Sequence, residues 1–214
     1  MAPSFDKRDH VAACRRLPDA VDAARLQAEV RALPAGLWDN VRAPVHRETQ
    51  SVFLKGHAPA LGLPDDPEQP ALAACPYVRE LLYGLLPGRP GKCLLAALRP
   101  RGIVYPHMDA ANGYFVGSFR VHIPVFTNPE VRLYCNGRFF RMGAGEIWTL
   151  NNLAPHAVIN DHVSEARVHL IFDVFPDAVA VAKVDAAPES PGEDDASLSA
   201  RLSGTRPADA QVMD

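Results

Sequence analysis

Residues 118–150 read SFRVHIPVFTNPEVRLYCNGRFFRMGAGEIWTL, and their texture decides the fold. Four runs rich in β-branched and aromatic residues (118–126, 131–135, 138–142 and 146–150) are separated by turn-forming residues. Asn136-Gly137 is a two-residue hairpin signal, because both turn positions need positive φ. Gly143-Ala144-Gly145 marks a second tight turn. Within the first run, successive side chains alternate faces, so Ser118, Arg120, His122 and Pro124 share one side and Val121, Ile123 and Val125 the other. The same texture extends outward, to 93–99 and 104–107 before this stretch and to 155–160 and 167–175 after it. Eight short strands with almost no helix between them predict a mainly β sandwich or barrel.

The N-terminal part reads differently. Val21, Ala24, Leu26, Ala28, Val30 and Leu33 form an apolar stripe over 19–33, closed by Pro34, which predicts a helix. Residues 38–55 read as extended, with Gln50 to Leu54 the best strand, and 56–70 as a loop. Pro76 opens a second helix running to about Leu86. The organisation expected is a segment of helices and extended chain, 1–91, packing on a barrel core, 92–176. Residues 177–214, rich in Ala, Pro, Asp, Ser and Gly, are expected to form a mobile tail.

Composition narrows the function. The chain has 214 residues, 48% hydrophobic and 22% charged, as expected for one globular domain. A net charge of -3 gives no footprint for nucleic acid or a membrane surface. No apolar run is long enough to cross a bilayer, and the polar N-terminus lacks a signal-peptide core. Cys14, Cys75, Cys93 and Cys135 have no CxxC spacing, which suits a reducing cytoplasm. The apolar face of the first helix could support a homodimer.

The chemistry sits in Pro106-His107-Met108-Asp109 and in the lone His156. His107 and Asp109, two apart on a strand end, point to one side. Two imidazoles with one carboxylate are the ligand set of non-haem Fe(II) oxygenases, which leave the opposite face of the metal open. Arg167 and His169 repeat the Arg-Val-His pattern of Arg120 and His122, again opposite an apolar face. An arginine inside a barrel needs an anion, because an unpaired buried cation costs several kcal/mol, and a dicarboxylate co-substrate provides one. A closed zinc site would want four ligands, and the cysteines are badly placed for it. Asn151 and Asn152 are candidates to orient the ligand imidazoles. Trp38, His46, Arg47 and Gln50 are candidate substrate contacts. Tyr105, Tyr114 and Trp148 read as core or rim. Two other readings stay open: a cupin-type metalloenzyme that does not use 2-oxoglutarate, and a non-catalytic barrel that binds a small ligand.

His107-x-Asp109, Arg120-x-His122, His156 and Arg167, with Asp173 in the same strand, resemble the aspartyl/asparaginyl β-hydroxylase family over about residues 92–176. The resemblance implies a double-stranded β-helix, or cupin-like jelly roll, using Fe(II) and 2-oxoglutarate. It implies that His107, Asp109 and His156 bind the metal and that Arg167 pairs with the far carboxylate of 2-oxoglutarate, with Arg120 and His122 nearby. It also implies hydroxylation of an unactivated C–H of a free or peptidyl amino acid (Asp, Asn or Pro-like), with succinate and CO2 released. A carboxylate at Asp109 is absent from the animal members and makes the chain more similar to bacterial small-molecule hydroxylases such as the proline cis-4-hydroxylases.

Overall fold

The alternating runs fold as antiparallel strands, 131–135 and 146–150 as read and the others shifted by one to five residues at an end. The computed structural model describes residues 5–38, 44–57 and 66–204. The stretch after Trp38, most of the 56–70 loop and the last residues, 205–214, lie outside the described residues. In chain order the elements are β1 (Cys14–Ala20), α1 (Ala23–Ala32), β2 (Thr49–Lys55), α2 (Pro76–Gly84), β3 (Gly88–Leu98), β4 (Ile103–His107), α3 (Gly113–Val116), β5 (Phe119–Phe126), β6 (Val131–Cys135), β7 (Arg138–Phe140), β8 (Glu146–Leu150), β9 (His156–Asn160), β10 (Arg167–Pro176), α4 (Ala178–Ala186) and α5 (Ala196–Gly204). They build a six-stranded sheet of order β1-β8-β5-β10-β3-β2 and a four-stranded sheet of order β4-β9-β6-β7. The β6–β7 hairpin turns at Asn136 (φ 48°) and Gly137 (φ 86°), the left-handed pair that the dipeptide called for.

Binary patterning explains why the two sheets face each other. Val121, Ile123 and Val125 on β5 and Val168, Leu170 and Phe172 on β10 join Leu26 and Val30 of α1, Val78 and Leu82 of α2 and Val184 of α4 in one core. That core covers the outer face of the large sheet. A second cluster, with Leu98, Val104, Leu133, Trp148, Leu150 and Val158, fills part of the space between the sheets. The opposite faces of β5 and β10, carrying Arg120, His122, Arg167 and His169, are therefore turned inward and are buried too. An antiparallel strand with one wet face would have left those groups in solvent.

Three expectations need correction. The sheet does not divide at residue 91: β2 and the unforeseen β1 are its two edge strands, and β3 starts at Gly88. Pro18 hid β1, yet at a sheet edge a proline need not donate to the ladder. Residues 178–186 and 196–204 are helical rather than a mobile tail, with Ala180, Val184, Ala187 and Leu202 buried. Between the two helices the chain bridges both sheets, Glu189 against Arg15 of β1 and Glu193 against Phe139 of β7. These few small apolar residues suffice because they cap cores that the barrel has already assembled. The apolar face of α1, considered for a dimer, is buried in the chain's own core through Leu26 and Val30.

No helix among the described residues is long and apolar enough to cross a membrane. The cysteines Cys14, Cys75, Cys93 and Cys135 are all unbridged and buried.

Candidate metal centre

A one-residue bulge aims the first ligand. Val104 of β4 pairs with Val158 of β9, and His107 pairs with His156. Three steps along β4 therefore match two along β9, and the extra residue turns His107 to the face of Val158 and His156. Without the bulge, strict alternation from inward-facing Val104 would point His107 outward. Asp109 follows in the loop, its N–H donating 2.9 Å to the carbonyl of Asn152. One potential ligand atom from each of His107, Asp109 and His156 falls within 4.8 Å of the others.

Each ligand is oriented by a defined partner. His107 Nδ1 lies 2.7 Å from the Tyr105 carbonyl, and His156 Nδ1 lies 3.0 Å from the Ala154 carbonyl. A carbonyl only accepts, so both Nδ1 atoms carry the proton and both Nε2 atoms present a lone pair to a metal. Asp109 Oδ2 accepts from Arg120 Nη1 at 2.6 Å and from Asn152 Nδ2 at 2.8 Å. That leaves Oδ1, which lies 3.9 Å from His107 Nε2, as the oxygen available to a metal. Burial works to raise the Asp109 carboxyl pKa, but Arg120 and the two imidazoles hold it well below the usual range. Burial pushes His156 down to about 3. Both ligands are thus in the deprotonated form that a metal requires. Two imidazoles and one carboxylate form a three-point donor set with open positions, which fits Fe(II).

The asparagines act differently from expectation. Asn152 orients the carboxylate, not an imidazole. Asn151 shapes the turn, its Oδ1 accepting from Leu153 N–H at 3.1 Å.

The two Arg-Val-His segments also part ways. Arg120 clasps Asp173 through Nε (2.8 Å) and Nη2 (3.0 Å) while holding Asp109 through Nη1. Burial opposes its charge, but Asp173 and Asp109 outweigh that and raise its pKa. Its fork is filled by carboxylates of the protein, which argues against the direct co-substrate contact expected of it. Arg167 is 2% exposed. Among the described residues it has no carboxylate partner and its Nε has no hydrogen bond. Its Nη2 donates 2.7 Å to His169 Nδ1, which lies 3.4 Å from His122 Nδ1. Burial alone lowers Arg167 to about 9. His122 is pushed well below its ordinary value by burial first and then by Arg167, with Arg120 and His156 adding to it. It therefore sits within electrostatic reach of both the arginine and the ligand cluster. A planar cation with an unused donor in a closed interior fits a carboxylate co-substrate.

Of the suggested substrate contacts, His46 comes closest. Its ring meets His107 edge-on, with centroids 4.8 Å apart. Arg47 donates to the Tyr105 hydroxyl at 2.6 Å, Gln50 is exposed, and Trp38 packs on the outer core. Tyr114 accepts from Lys92 N–H at 2.7 Å as a core residue. Trp148 is buried between the sheets. Sequence reasoning missed Lys7, which is completely buried with its Nζ 2.5 Å from Asn152 Oδ1. A lysine in a polar N-terminal stretch carries no signal for this. Asp173 was visible as part of β10, and period-two counting from Arg167 would have placed it on the inner face.

The family model for aspartyl/asparaginyl β-hydroxylase matches residues 39–176, more than half of the chain. No curated protein sequence matches significantly. Among solved structures, an oxidoreductase of the 2OG-Fe(II) oxygenase family from Burkholderia pseudomallei is similar with a TM-score of 0.54 and 15% identity, over 81% of this chain and 89% of that one. A prolyl hydroxylase from Trichoplax adhaerens, in complex with a hypoxia inducible factor peptide fragment, has a TM-score of 0.55 and 14% identity over 84% and 88%. A non-heme α-ketoglutarate-dependent epimerase from nogalamycin biosynthesis has a TM-score of 0.57 and 11% identity over 88% and 89%. At these identities the likeness establishes the jelly-roll fold.

Proposed function

The chain belongs to the aspartyl/asparaginyl β-hydroxylase family of 2-oxoglutarate-dependent Fe(II) oxygenases, and on that premise we propose which residues run its reaction and on what class of substrate. His107 Nε2, His156 Nε2 and Asp109 Oδ1 hold Fe(II). Arg167 receives the far carboxylate of 2-oxoglutarate, with His122 beside it. The substrate is an amino acid, an amino-acid derivative or a peptidyl residue of Asp, Asn or Pro type. One unactivated C–H becomes C–OH, and succinate and CO2 are released. Bound there, Fe(II) and 2-oxoglutarate supply the oxidising power that divides O2 between the product hydroxyl and succinate.

The remaining contributions are the protein's own. The carbonyls of Tyr105 and Ala154 fix the tautomer of each imidazole. Arg120 and Asn152 occupy one carboxylate oxygen of Asp109 and keep it monodentate. The apolar residues between the sheets, Leu98, Trp148 and Leu150 among them, exclude water from the reacting centre. The single observation that carries the reading is Arg167. It is a buried guanidinium with no carboxylate partner among the described residues, it shares the barrel with a three-ligand cluster, and a 2-oxoglutarate carboxylate would complete its fork.

The test is succinate formed from 2-oxoglutarate by Fe(II)-loaded protein under O2, across a panel of amino acids and short peptides. Succinate above the uncoupled background with one compound, lost in His107→Ala, supports the reading. Turnover that does not depend on 2-oxoglutarate would give first place to a cupin-type metalloenzyme.

A further inference from the structure

Lys7 has no part in the reaction described so far, yet the fold carries it into the interior. The N-terminal segment is pinned on both sides of it. Phe5 packs edge-on against Phe119 with ring centroids 4.9 Å apart. Asp6 caps the short turn by accepting from Arg8 N–H at 2.9 Å. Val11 is 1% exposed, and His10 Nδ1 lies 2.9 Å from Asp185. Between these anchors the Lys7 side chain is wholly buried, and its Nζ donates to Asn152 Oδ1 at 2.5 Å. The charges around it are Asp173, Arg120, Asp109 and Asp6. Burying an amine costs several kcal/mol unless its hydrogen bonds are replaced, so a polar partner in the interior is essential to keeping it there.

The partner is informative because of what an amide can and cannot do. Asn152 has one accepting end and one donating end. A lysine ammonium only donates, and the end facing Lys7 is Oδ1. Nδ2 then faces Asp109 Oδ2, to which it donates at 2.8 Å. Rotated by half a turn, the same amide would set an oxygen against the carboxylate and leave a buried N–H₂ against an amine. Lys7 therefore excludes the wrong orientation of the group that, with Arg120, decides which oxygen of Asp109 is left for the metal.

We infer that Lys7 is a positioning residue for the metal centre: it locks the Asn152 amide, which in turn presents Asp109 Oδ1 as the ligating atom. The inference rests on the metal-centre reading above and adds to it a residue that lies a hundred positions from the nearest ligand in the chain and whose side chain bonds to Asn152 rather than to a ligand. The effect of Lys7 is on how tightly and in what geometry the metal is held.

The experiment is a Co(II) titration of the full-length metal-free protein, followed by the visible absorption of the bound ion, with folding monitored by circular dichroism. Four proteins are compared: wild type, Lys7→Met, Asn152→Ala and the double variant. Loss of an outer partner of a ligand typically weakens metal binding by about 10- to 100-fold. Asn152→Ala should therefore raise the Kd for Co(II) by at least about tenfold, and Lys7→Met should raise it by up to the same factor and alter the ligand-field bands. Lys7→Met added to Asn152→Ala should bring no further loss, because both act through one amide. Wild-type affinity in Lys7→Met, or losses that add in the double variant, would overturn the inference while leaving the metal centre intact. If Lys7→Met does not fold, Asn152→Ala with Lys7 in place decides the matter, since wild-type affinity there breaks the link. A wild-type protein that binds no Co(II), by contrast, counts against the metal centre itself.

Discussion

Arg120-Val121-His122 and Arg167-Val168-His169 are the same three residue types on adjacent strands, β5 and β10, facing the same interior. Their surroundings have opposite character. Arg120 meets two carboxylates and is held charged by Asp173 and Asp109. Arg167 meets a histidine, no carboxylate among the described residues, and has its pKa lowered to about 9 by burial. The first is a closed network whose charges balance within the protein. The second is an open one, with no carboxylate among the described residues, and on the proposed reading a ligand carboxylate would complete it. A buried cation belongs to the structure when the fold supplies its anion, and points to a ligand when the fold does not.

That contrast can be broken by experiment. The largest effect is expected from Arg120→Met, which strands Asp173 and Asp109 as buried carboxylates. Removing one partner of a buried ion pair costs about 3–5 kcal/mol, so urea denaturation should show a loss of that size, with metal binding lost as well. Arg167→Met should leave the stability of the ligand-free protein nearly unchanged, because it removes a buried cation that lacks a carboxylate. Its cost should instead appear in 2-oxoglutarate binding. A charge-assisted hydrogen-bonded contact contributes about 2–3 kcal/mol, or on the order of a hundredfold in KM, with Co(II) affinity retained. Equal stability losses in the two methionine variants would abolish the distinction.

A smaller effect is expected from pH. His122 and His169 are held neutral, their pKa values pushed well below 6.5 by burial and by Arg167. Below about pH 6.5 the unfolded chain takes up protons at these positions and the folded chain does not. Stability therefore falls as pH drops from 7 to 5, by up to about 1.4 kcal/mol per pH unit for each histidine. His169→Gln should flatten the slope measured by chemical denaturation of the metal-free protein, and an unchanged slope would mean that the ring is solvated. The smallest effect should come from Arg167→Lys, which keeps the charge but loses the planar fork. KM for 2-oxoglutarate should rise severalfold, about 1 kcal/mol, and a rise as large as that of Arg167→Met would show that geometry rather than charge holds the co-substrate.

Legibility in the sequence followed from how local each signal was. Strands 131–135 and 146–150 were readable to the residue because alternation and turn chemistry act between near neighbours. β1 was not, because a strand with Pro18 inside it looks broken until an edge position excuses the missing N–H. The helices α4 and α5 were not, because Ala180, Val184 and Leu202 are too sparse to announce a core that the barrel supplies. The candidate ligands were readable from spacing and chemistry, while the bulge that aims His107 appears only in the pairing of β4 with β9.

The sequence by itself determined the strands other than β1, the inward alternation of Arg120, His122, Arg167 and His169, and the ligand candidates His107, Asp109 and His156, because each depends on residue type and on a period of two along one segment. Tertiary structure alone decided which arginine is closed and which is open, which oxygen of Asp109 is left for a metal, and that Lys7 reaches Asn152. Those outcomes depend on which groups meet across strands far apart in the chain. In a low-dielectric interior such a meeting sets the charge state, the tautomer and the vacant lone pair, and spacing along one segment carries no record of it.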